Sequence, residues 1–242
     1  MIACSMFILG LIFGSFLNVI ILRVPAFKSI AYPASHCIKC NTPLKFYHNI
    51  PLLSWLFLRG KCAFCREKIS IQYPLIEFLS GVIFLVCYFK EESLYLAILS
   101  SLVFLLLLAL FVIDLRYKAV PDVLTIPALF LVLIHPEFLL RLENALIFAG
   151  GFALLRFVVS FVIKKEAMGE ADIIIAAIIG GMVGVKNGLI AIYIAAVLAL
   201  FAFAVVRKKR FELPFIPFLA SGLFIVYLFD TEFNTLIKYI YG

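Results

Sequence analysis

The sequence predicts an all-α polytopic membrane protein with about eight transmembrane helices and a small cytoplasmic tetracysteine zinc-binding domain between the first two helices. Of its 242 residues, 65% are hydrophobic and only 14% are charged, whereas roughly a quarter of a soluble domain is charged. Long apolar runs recur along the chain, and a single polar segment holds two close pairs of cysteines. A soluble domain of this size could not bury so much apolar surface, so we expect lipid to surround most of it.

The apolar runs predict eight membrane spans, because roughly 17–25 mostly apolar residues cross a bilayer as a helix. They lie at 2–22, 74–89, 94–114, 123–140, 144–163, 171–185, 188–206 and 213–229. The first run lacks a basic start and a small-residue cleavage site, so it is a membrane helix rather than a signal peptide. The predicted organisation is therefore a first transmembrane helix at 1–22, a cytoplasmic domain at 23–73 and a transmembrane domain at 74–242.

The basic residues predict the orientation. Sixteen of the 21 Lys and Arg residues fall in segment 23–73 and in three later loops on the same side, four fall on the other side, and Arg156 lies within a span. Cytoplasmic loops carry such an excess, so the net charge of +7 is explained by topology and needs no nucleic-acid partner. We expect an inner-membrane protein with both termini periplasmic, and Arg207 to Arg210 anchoring a loop near anionic membrane lipid.

Two Cys-x-x-Cys pairs lie in segment 23–73. They are Cys37 and Cys40, then Cys62 and Cys65, with 21 residues between the pairs. Two such pairs complete a tetrahedral zinc site, and disulfides are disfavoured in a cytoplasmic domain. A four-thiolate site has no open position, so it is structural, and a domain of this size depends on the metal for its fold.

The acidic residues are few, and two stand at predicted cytoplasmic span ends. Asp114 ends the third span, where the helix dipole disfavours a negative charge, and Asp172 opens the sixth. Two such residues can hydrolyse a peptide without a cofactor, because an ionised carboxylate activates water while a protonated one polarises the carbonyl. Helix polarity assigns the ionised role to Asp172 and the shared proton to Asp114, although a capping role for Asp172 stays open.

Other polar and small residues have plainer explanations. Asp122 is interpreted as a helix N-cap, and Glu77 as a charge that favours a positive helix end. Arg156 is expected to extend its stem to the cytoplasmic interface, with contact to the aspartates or substrate as the alternative. Two Gly-x-x-x-Gly motifs, at Gly10 and Gly180, predict close helix packing.

At these residues the chain resembles the bacterial type IV prepilin peptidases. Four ordered segments carry the similarity, at Gly14 to Pro25, Asn49 to Cys62, Ile69 to Glu77 and Leu213 to Gly222. The resemblance implies a Gly-x-Gly-Asp-type intramembrane aspartyl protease whose catalytic residues map onto Asp114 and Asp172. Its substrates would be type IV prepilins or pseudopilins, cleaved after a glycine between a basic cytoplasmic leader and an apolar helix.

The resemblance also implies N-methylation of the new N-terminus by S-adenosylmethionine, because the long form of that family carries the tetracysteine domain. This chain departs from the family pattern at Ala171, where the second glycine of the motif would stand, and at Ile174, where a lysine often follows. A peptidase without effective methylation stays open. So does a membrane assembly scaffold, in which the zinc domain docks a partner and the aspartates are caps. A transporter is disfavoured, because its charges should lie near the midplane.

Overall fold

The computed structural model describes residues 1–164, 168–206 and 214–241. Lys165, the predicted anchor Arg207 to Arg210, and Leu213 at the start of the last-span motif lie outside the described residues. The chain divides into two compact units, Met1–Ser101 and Leu102–Gly242. The described part of the chain is helical apart from turns and two isolated β-bridges.

The first unit is built on two long antiparallel-packed apolar helices with the cysteine segment between them. Its elements are α1 (Ile2–Arg23), a 3₁₀ turn (Phe46–Asn49), α2 (Leu53–Phe57), α3 (Gln72–Lys90) and the start of α4 (Leu94–Tyr117). The glycines of the first Gly-x-x-x-Gly motif pack as predicted. A Cβ added to Gly10 would lie 2.5 Å from the Ser80 carbonyl oxygen, and one on Gly14 would lie 2.8 Å from the Glu77 Cα. The two backbones therefore approach more closely than any other residue would allow.

The second unit contains the rest of α4 and five further helices. They are α5 (Asp122–Leu133), α6 (Phe138–Ile163), α7 (Glu170–Val206), α8 (Ile216–Leu228) and α9 (Asp230–Tyr241). The α7 helix packs against α5, α6 and α8. It lies at the centre of this unit, with Ile175 to Ile179 almost fully buried.

Gly184 interrupts α7 with φ 75° and ψ 179°, a backbone conformation that is essentially restricted to glycine. Gly180 and Gly188, on either side of the break, both lie against the ring of Phe148 in α6. An unbroken helix would rise about 12 Å between these two glycines and carry Gly188 beyond the ring. The chain therefore bends sharply at Gly184, so the predicted packing role holds for Gly180 but not for Gly184.

The structure confirms an all-helical protein with several apolar helices, while the count of eight spans stays a prediction. Five described helices are long and apolar enough to cross a membrane, namely α1, α3, α4, α6 and α7, and two apolar helices, α5 and α8, are shorter. The predicted fourth span at 123–140 was too long. The α5 helix ends at Leu133 and α6 already begins at Phe138, because Pro136 cannot continue a helix and disfavours helical backbone at His135.

Two interpretations of single carboxylates are corrected. Asp122 is not an N-cap. Pro121 occupies that position, Asp122 is the first helical residue, and no side-chain cap bond forms. Glu77 does not face the start of its helix. It is the sixth residue of α3, is 7% exposed, and accepts a hydrogen bond of 2.8 Å from the backbone N–H of Leu52.

Candidate functional site

Asp114 lies in the last turn of α4 and is buried, with 6% of its surface exposed. Its Oδ2 atom accepts a hydrogen bond of 3.2 Å from the backbone N–H of Ile216, the first residue of α8. The N-terminal end of a helix presents free N–H groups and a partial positive charge. The N-terminal end of α8 therefore offsets the electrostatic repulsion between the Asp114 charge and the C-terminal end of α4. The sequence could not indicate this hydrogen bond, because 102 residues separate the two groups.

Asp172 is the third residue of α7 and is half-buried. Its Oδ2 atom accepts a hydrogen bond of 3.0 Å from the backbone N–H of Gly169, just before the helix. This is the geometry with which an acidic residue in the first turn of a helix caps the preceding N–H, so the capping role left open from the sequence is real. This hydrogen bond uses the Oδ2 atom of Asp172 and leaves its Oδ1 atom available for proton transfer.

The fold brings the two predicted aspartates together. They are 58 positions apart in the sequence, yet the Asp114 carboxyl group lies within electrostatic range of Asp172, and Lys118 lies within range as well. Two carboxyl groups within electrostatic range can share a proton, because the ionised form of one disfavours ionisation of the other. Such a pair can take a proton from water with one member and donate a proton with the other.

Helix polarity does not distinguish the two aspartates as the sequence suggested. Each accepts a backbone N–H at the start of a helix, Asp114 from α8 and Asp172 from the turn into α7. The pair is therefore best treated as one unit, whose two protonation steps belong to both carboxyl groups.

Arg156 of α6 pairs with Glu170, two residues before Asp172. Both terminal nitrogens of Arg156 lie 3.3 Å from Glu170 Oε1. The pair joins α6 to the first turn of α7, so Arg156 supports the helix end that carries Asp172. Surface ion pairs of this kind contribute little stability by themselves.

The four predicted cysteines of the first unit form one cluster. The Sγ atoms of Cys37, Cys40, Cys62 and Cys65 all lie within 4.8 Å of one another. That is the compact arrangement four thiolates need around one tetrahedral metal ion. The residues present therefore fit a metal site, and such a closed site would supply structure rather than chemistry.

Two turns of the same design deliver these thiols. In the first, Cys37 N–H donates to Thr42 and Asn41 N–H donates to Cys37; in the second, Cys62 N–H donates to Glu67 and Arg66 N–H donates to Cys62. Asn41 and Arg66 both have a positive φ, of 52° and 59°. We call these turns the two knuckles. Hydrogen bonds from the Thr42 side chain and backbone lower the pKa of Cys40 to about 6, which favours the thiolate that a metal requires.

A buried polar network joins α1 to α3 in the first unit. Hydrogen bonding between helices is the role that a polar Asn18 in an apolar helix predicts, and it is confirmed, but the parts of Gln72 and Glu77 were not anticipated. The network joins Asn18 of α1 to Gln72 of α3, with a hydrogen bond of 3.4 Å from Gln72 Nε2 to Asn18 Oδ1. Glu77 lies on the same seam between α1 and α3 and accepts hydrogen bonds from Leu52 N–H and the Ser15 side chain. Polar residues within otherwise apolar helices were the available signal for this network.

Comparisons with known proteins match nearly the whole chain. The Bacterial Peptidase A24 N-terminal domain matches residues 8–91, and the Type IV leader peptidase family matches residues 101–204. A type 4 prepilin-like proteins leader peptide-processing enzyme of Escherichia coli is 34% identical over 238 residues, which are 88% of this chain and 88% of that protein. No solved structure matches.

Two further relatives are named prepilin leader peptidase/N-methyltransferase. The protein from Neisseria gonorrhoeae is 32% identical over 233 residues, 84% of this chain and 82% of its own length. The protein from Myxococcus xanthus is 38% identical over 184 residues, which cover 74% of this chain but only 55% of that longer relative.

The structure describes a helical protein with several membrane-length apolar helices, two neighbouring carboxyl groups in its second unit and a four-cysteine cluster in its first. The two matched family domains and the similarity to the Escherichia coli enzyme show that the chain belongs to the type IV leader peptidase family.

Proposed function

We propose that this chain cleaves the leader from type IV prepilins or pseudopilins with Asp114 and Asp172 as the catalytic pair, and then N-methylates the new N-terminus. Membership of the leader peptidase family supports the reaction and the substrate class. The observation that supports the residues is the approach of these two carboxyl groups, from separate helix ends, to within electrostatic range.

The pair works as a general acid and base. One carboxylate removes a proton from a water molecule as the water attacks the scissile carbonyl carbon. The other, protonated, donates a hydrogen bond to the carbonyl oxygen and then supplies the proton that the leaving amine needs. The N–H of Ile216 holds Asp114 and the N–H of Gly169 holds Asp172, each at 3.2 Å or less, so both carboxylates are oriented before substrate arrives.

The proposed topology explains where cleavage falls. We place the aspartates at the cytoplasmic face of the inner membrane, all eight apolar helical segments across the bilayer and both termini in the periplasm, because Lys and Arg gather on one side. A basic leader stays in the cytoplasm and an apolar helix enters lipid. The peptide bond between them then lies at the depth of the pair.

Zinc and S-adenosylmethionine are the proposed cofactors. Zinc would be held by the four knuckle cysteines and would stabilise segment 23–73, which lies between the first two membrane helices. S-adenosylmethionine supplies a methyl group carried on a sulfonium.

Cleavage of a purified prepilin in detergent tests the catalytic pair. Asp114→Asn and Asp172→Asn should each reduce cleavage at least about a hundredfold, because each removes a proton donor or acceptor from the transition state. Asp122→Asn is the matched control, since Asp122 is an exposed carboxylate in the same unit. It should cleave like the wild type.

Near-normal cleavage by either Asn variant would refute the pair. The same reaction with S-adenosylmethionine, read by mass spectrometry of the mature product, tests methylation. If the mature product lacks the added mass of a methyl group, the chain is a peptidase without methyltransferase activity.

A further inference from the structure

We infer that the seam between α1 and α3 contains an ammonium-binding site, formed by Gln72 and Glu77, that holds the new N-terminal amine of the cleaved substrate for methylation. This inference rests on the proposed methylation and assigns it a location. All of its residues belong to the first unit.

The hydrogen bonds of Asn18 fix the orientation of both side-chain amides. Asn18 is 1% exposed, and its Nδ2 donates to two backbone carbonyl oxygens, those of Gly14 at 3.3 Å and Tyr73 at 3.1 Å. Carbonyls only accept, so the Asn18 amide cannot be flipped and its Oδ1 faces Gln72. The bond that Asn18 Oδ1 accepts from Gln72 Nε2 fixes the second amide in turn.

One acceptor is left over. Gln72 is 8% exposed, and its buried Oε1 has no hydrogen-bond partner among the described residues. Because the orientation of the Gln72 amide is fixed, exchanging its nitrogen and oxygen positions cannot give the unpaired oxygen a partner. A buried polar atom without a partner is costly and calls for a bound donor.

Glu77 adds a negative charge on the same seam. It is bonded to the Ser15 side chain, and Ser15 and Asn18 are three residues apart on one face of α1. Its two known donors, Ser15 and the Leu52 N–H, occupy about half of the acceptor positions of a carboxylate. A buried carboxylate without a cation is strongly unfavourable, so the complementary ligand is a positively charged hydrogen-bond donor.

Leu52 connects this polar seam to an apolar groove. Its N–H binds Glu77, it has a φ of 60° that is rare outside glycine, and its side chain lines a groove of about 330 Å³. The groove is formed by Leu52, Trp55, Leu56, Ile71, Leu75 and Phe78 among others, with no polar lining residue. The Glu77 carboxylate and the apolar groove thus meet at Leu52, whose backbone is strained.

An N-terminal ammonium on an apolar chain matches these features better than the other cations of the reaction. The sulfonium of the methyl donor has no N–H for Gln72 Oε1. The amino-acid end of that donor does carry an ammonium, but it is joined to a carboxylate and does not match the apolar groove beside Leu52. A lysine of the basic leader could satisfy the acceptors, but the leader around it is polar and does not fit an apolar groove.

The chemistry then needs one proton transfer. The substrate ammonium passes a proton to the Glu77 carboxylate, and the freed nitrogen lone pair attacks the methyl carbon of the sulfonium donor. The C–S bond breaks, its electron pair stays on sulfur, and the product is a methylated ammonium. Glu77 returns the proton to solvent, so one proton is released for each methyl group transferred.

Peptide binding tests the site without any methyl donor. The full chain in lipid nanodiscs is titrated with a fluorescent apolar peptide bearing a free N-terminal amine, with the same peptide N-acetylated, and with an acetylated basic leader peptide containing lysine. Glu77→Gln keeps an acceptor for Leu52 and removes the charge. Glu92→Gln, at an exposed carboxylate of the same unit, is the matched control.

Glu77→Gln and Gln72→Leu should each weaken the free-amine peptide roughly tenfold to a hundredfold, because a charge-assisted hydrogen bond is lost, and Glu92→Gln should not. The acetylated peptide should bind weakly and equally to all of these proteins. An unchanged zinc-to-protein ratio establishes that each variant keeps its knuckle fold.

Equal weakening of the free-amine and acetylated peptides by Glu77→Gln would overturn the site. So would an effect confined to the lysine-containing leader peptide. Asp114→Asn should bind the free-amine peptide normally while failing to cleave prepilin. A failure of the proposed peptidase pair is therefore distinguishable from a failure of the ammonium site.

Discussion

Ala171 stands where the glycine before the second aspartate is expected from the family resemblance. The structure places it in the first turn of α7, which begins at Glu170. Helical backbone does not require glycine, and alanine is the best helix former. The departure therefore costs nothing in the geometry that holds Asp172.

Restoring the glycine should make this point measurable. Ala171→Gly is expected to lower the free energy of unfolding by about 0.5–1 kcal/mol, because glycine loses more backbone entropy in a helix. Prepilin cleavage should stay within about twofold of the wild type, since the helix dipole and the Gly169 bond to Asp172 are unchanged. A large gain in cleavage would mean that the methyl group of Ala171 obstructs substrate.

Single residues show how far sequence reasoning reaches. Asp114 and Asp172 were identifiable because acids are scarce and these two stand at helix ends. The Ile216 N–H was not, because a backbone donor has no sequence signature and its bond to Asp114 is purely tertiary. Glu77 was misread for a similar reason, since its partner Leu52 lies in a turn 25 residues earlier.

The knuckle domain depends on its metal more than on its core. Between residues 24 and 71 only Gly60 and Cys62 are buried, so little apolar burial holds this segment together. Cys37→Ser should abolish stoichiometric zinc and expose the segment to limited proteolysis. Cys4→Ser, at a cysteine outside the cluster, should do neither. Normal protease resistance in a zinc-free Cys37→Ser protein would show that the knuckles fold without metal.

Acid should release the metal. The Thr42 hydrogen bonds that lower the pKa of Cys40 to about 6 favour its thiolate at neutral pH. Protons compete with zinc for all four thiolates, so binding weakens progressively as the pH falls. Zinc measured with a colorimetric chelator is expected to stay bound from about pH 8 to 7 and to be lost below about pH 6. Release that increases towards alkaline pH would contradict this scheme.

Gly184 should be intolerant of a side chain. Its φ of 75° with ψ near 180° is strained for any other residue, although space is available, since the nearest atom to an added Cβ is Asn144 Nδ2 at 3.8 Å. Gly184→Ala is expected to destabilise the protein by about 1–3 kcal/mol through backbone strain alone. Thermal unfolding in detergent measures this. Gly150→Ala is the control, because nothing lies within 4 Å of its added Cβ.

Helix ends account for most of the differences between predicted and observed elements. The apolar runs located every long helix, but hydropathy does not register where a helix stops. The α5 and α8 helices contain 12 and 13 residues, or about 18–20 Å, so residues beyond their ends must complete the proposed crossing of a hydrocarbon core of about 30 Å. The amphipathic α9 follows the last predicted span and was not anticipated, because only a continuous apolar run was sought.

For the whole molecule, the charge distribution predicts topology. Alkaline phosphatase fused after Tyr241 should be active and green fluorescent protein at the same point dark, because the C-terminus is expected in the periplasm. The same reporters inserted in the exposed turn after Phe27 should give the opposite result, since segment 23–73 is expected in the cytoplasm. Matching signals at both points would require an even number of crossings between them and would contradict the predicted topology.

The turn at Gly184 also governs the route by which the chain reaches Asp114. A straight α7 of 37 residues would extend about 55 Å and deliver whatever follows it to the far end of the unit from Asp172. Because the chain bends sharply at Gly184, the second half of α7 instead packs against α8, whose first residue donates a hydrogen bond to the carboxylate at the end of α4. A glycine remote from any reacting atom thus shapes the support of the helix that supplies the Asp114 donor.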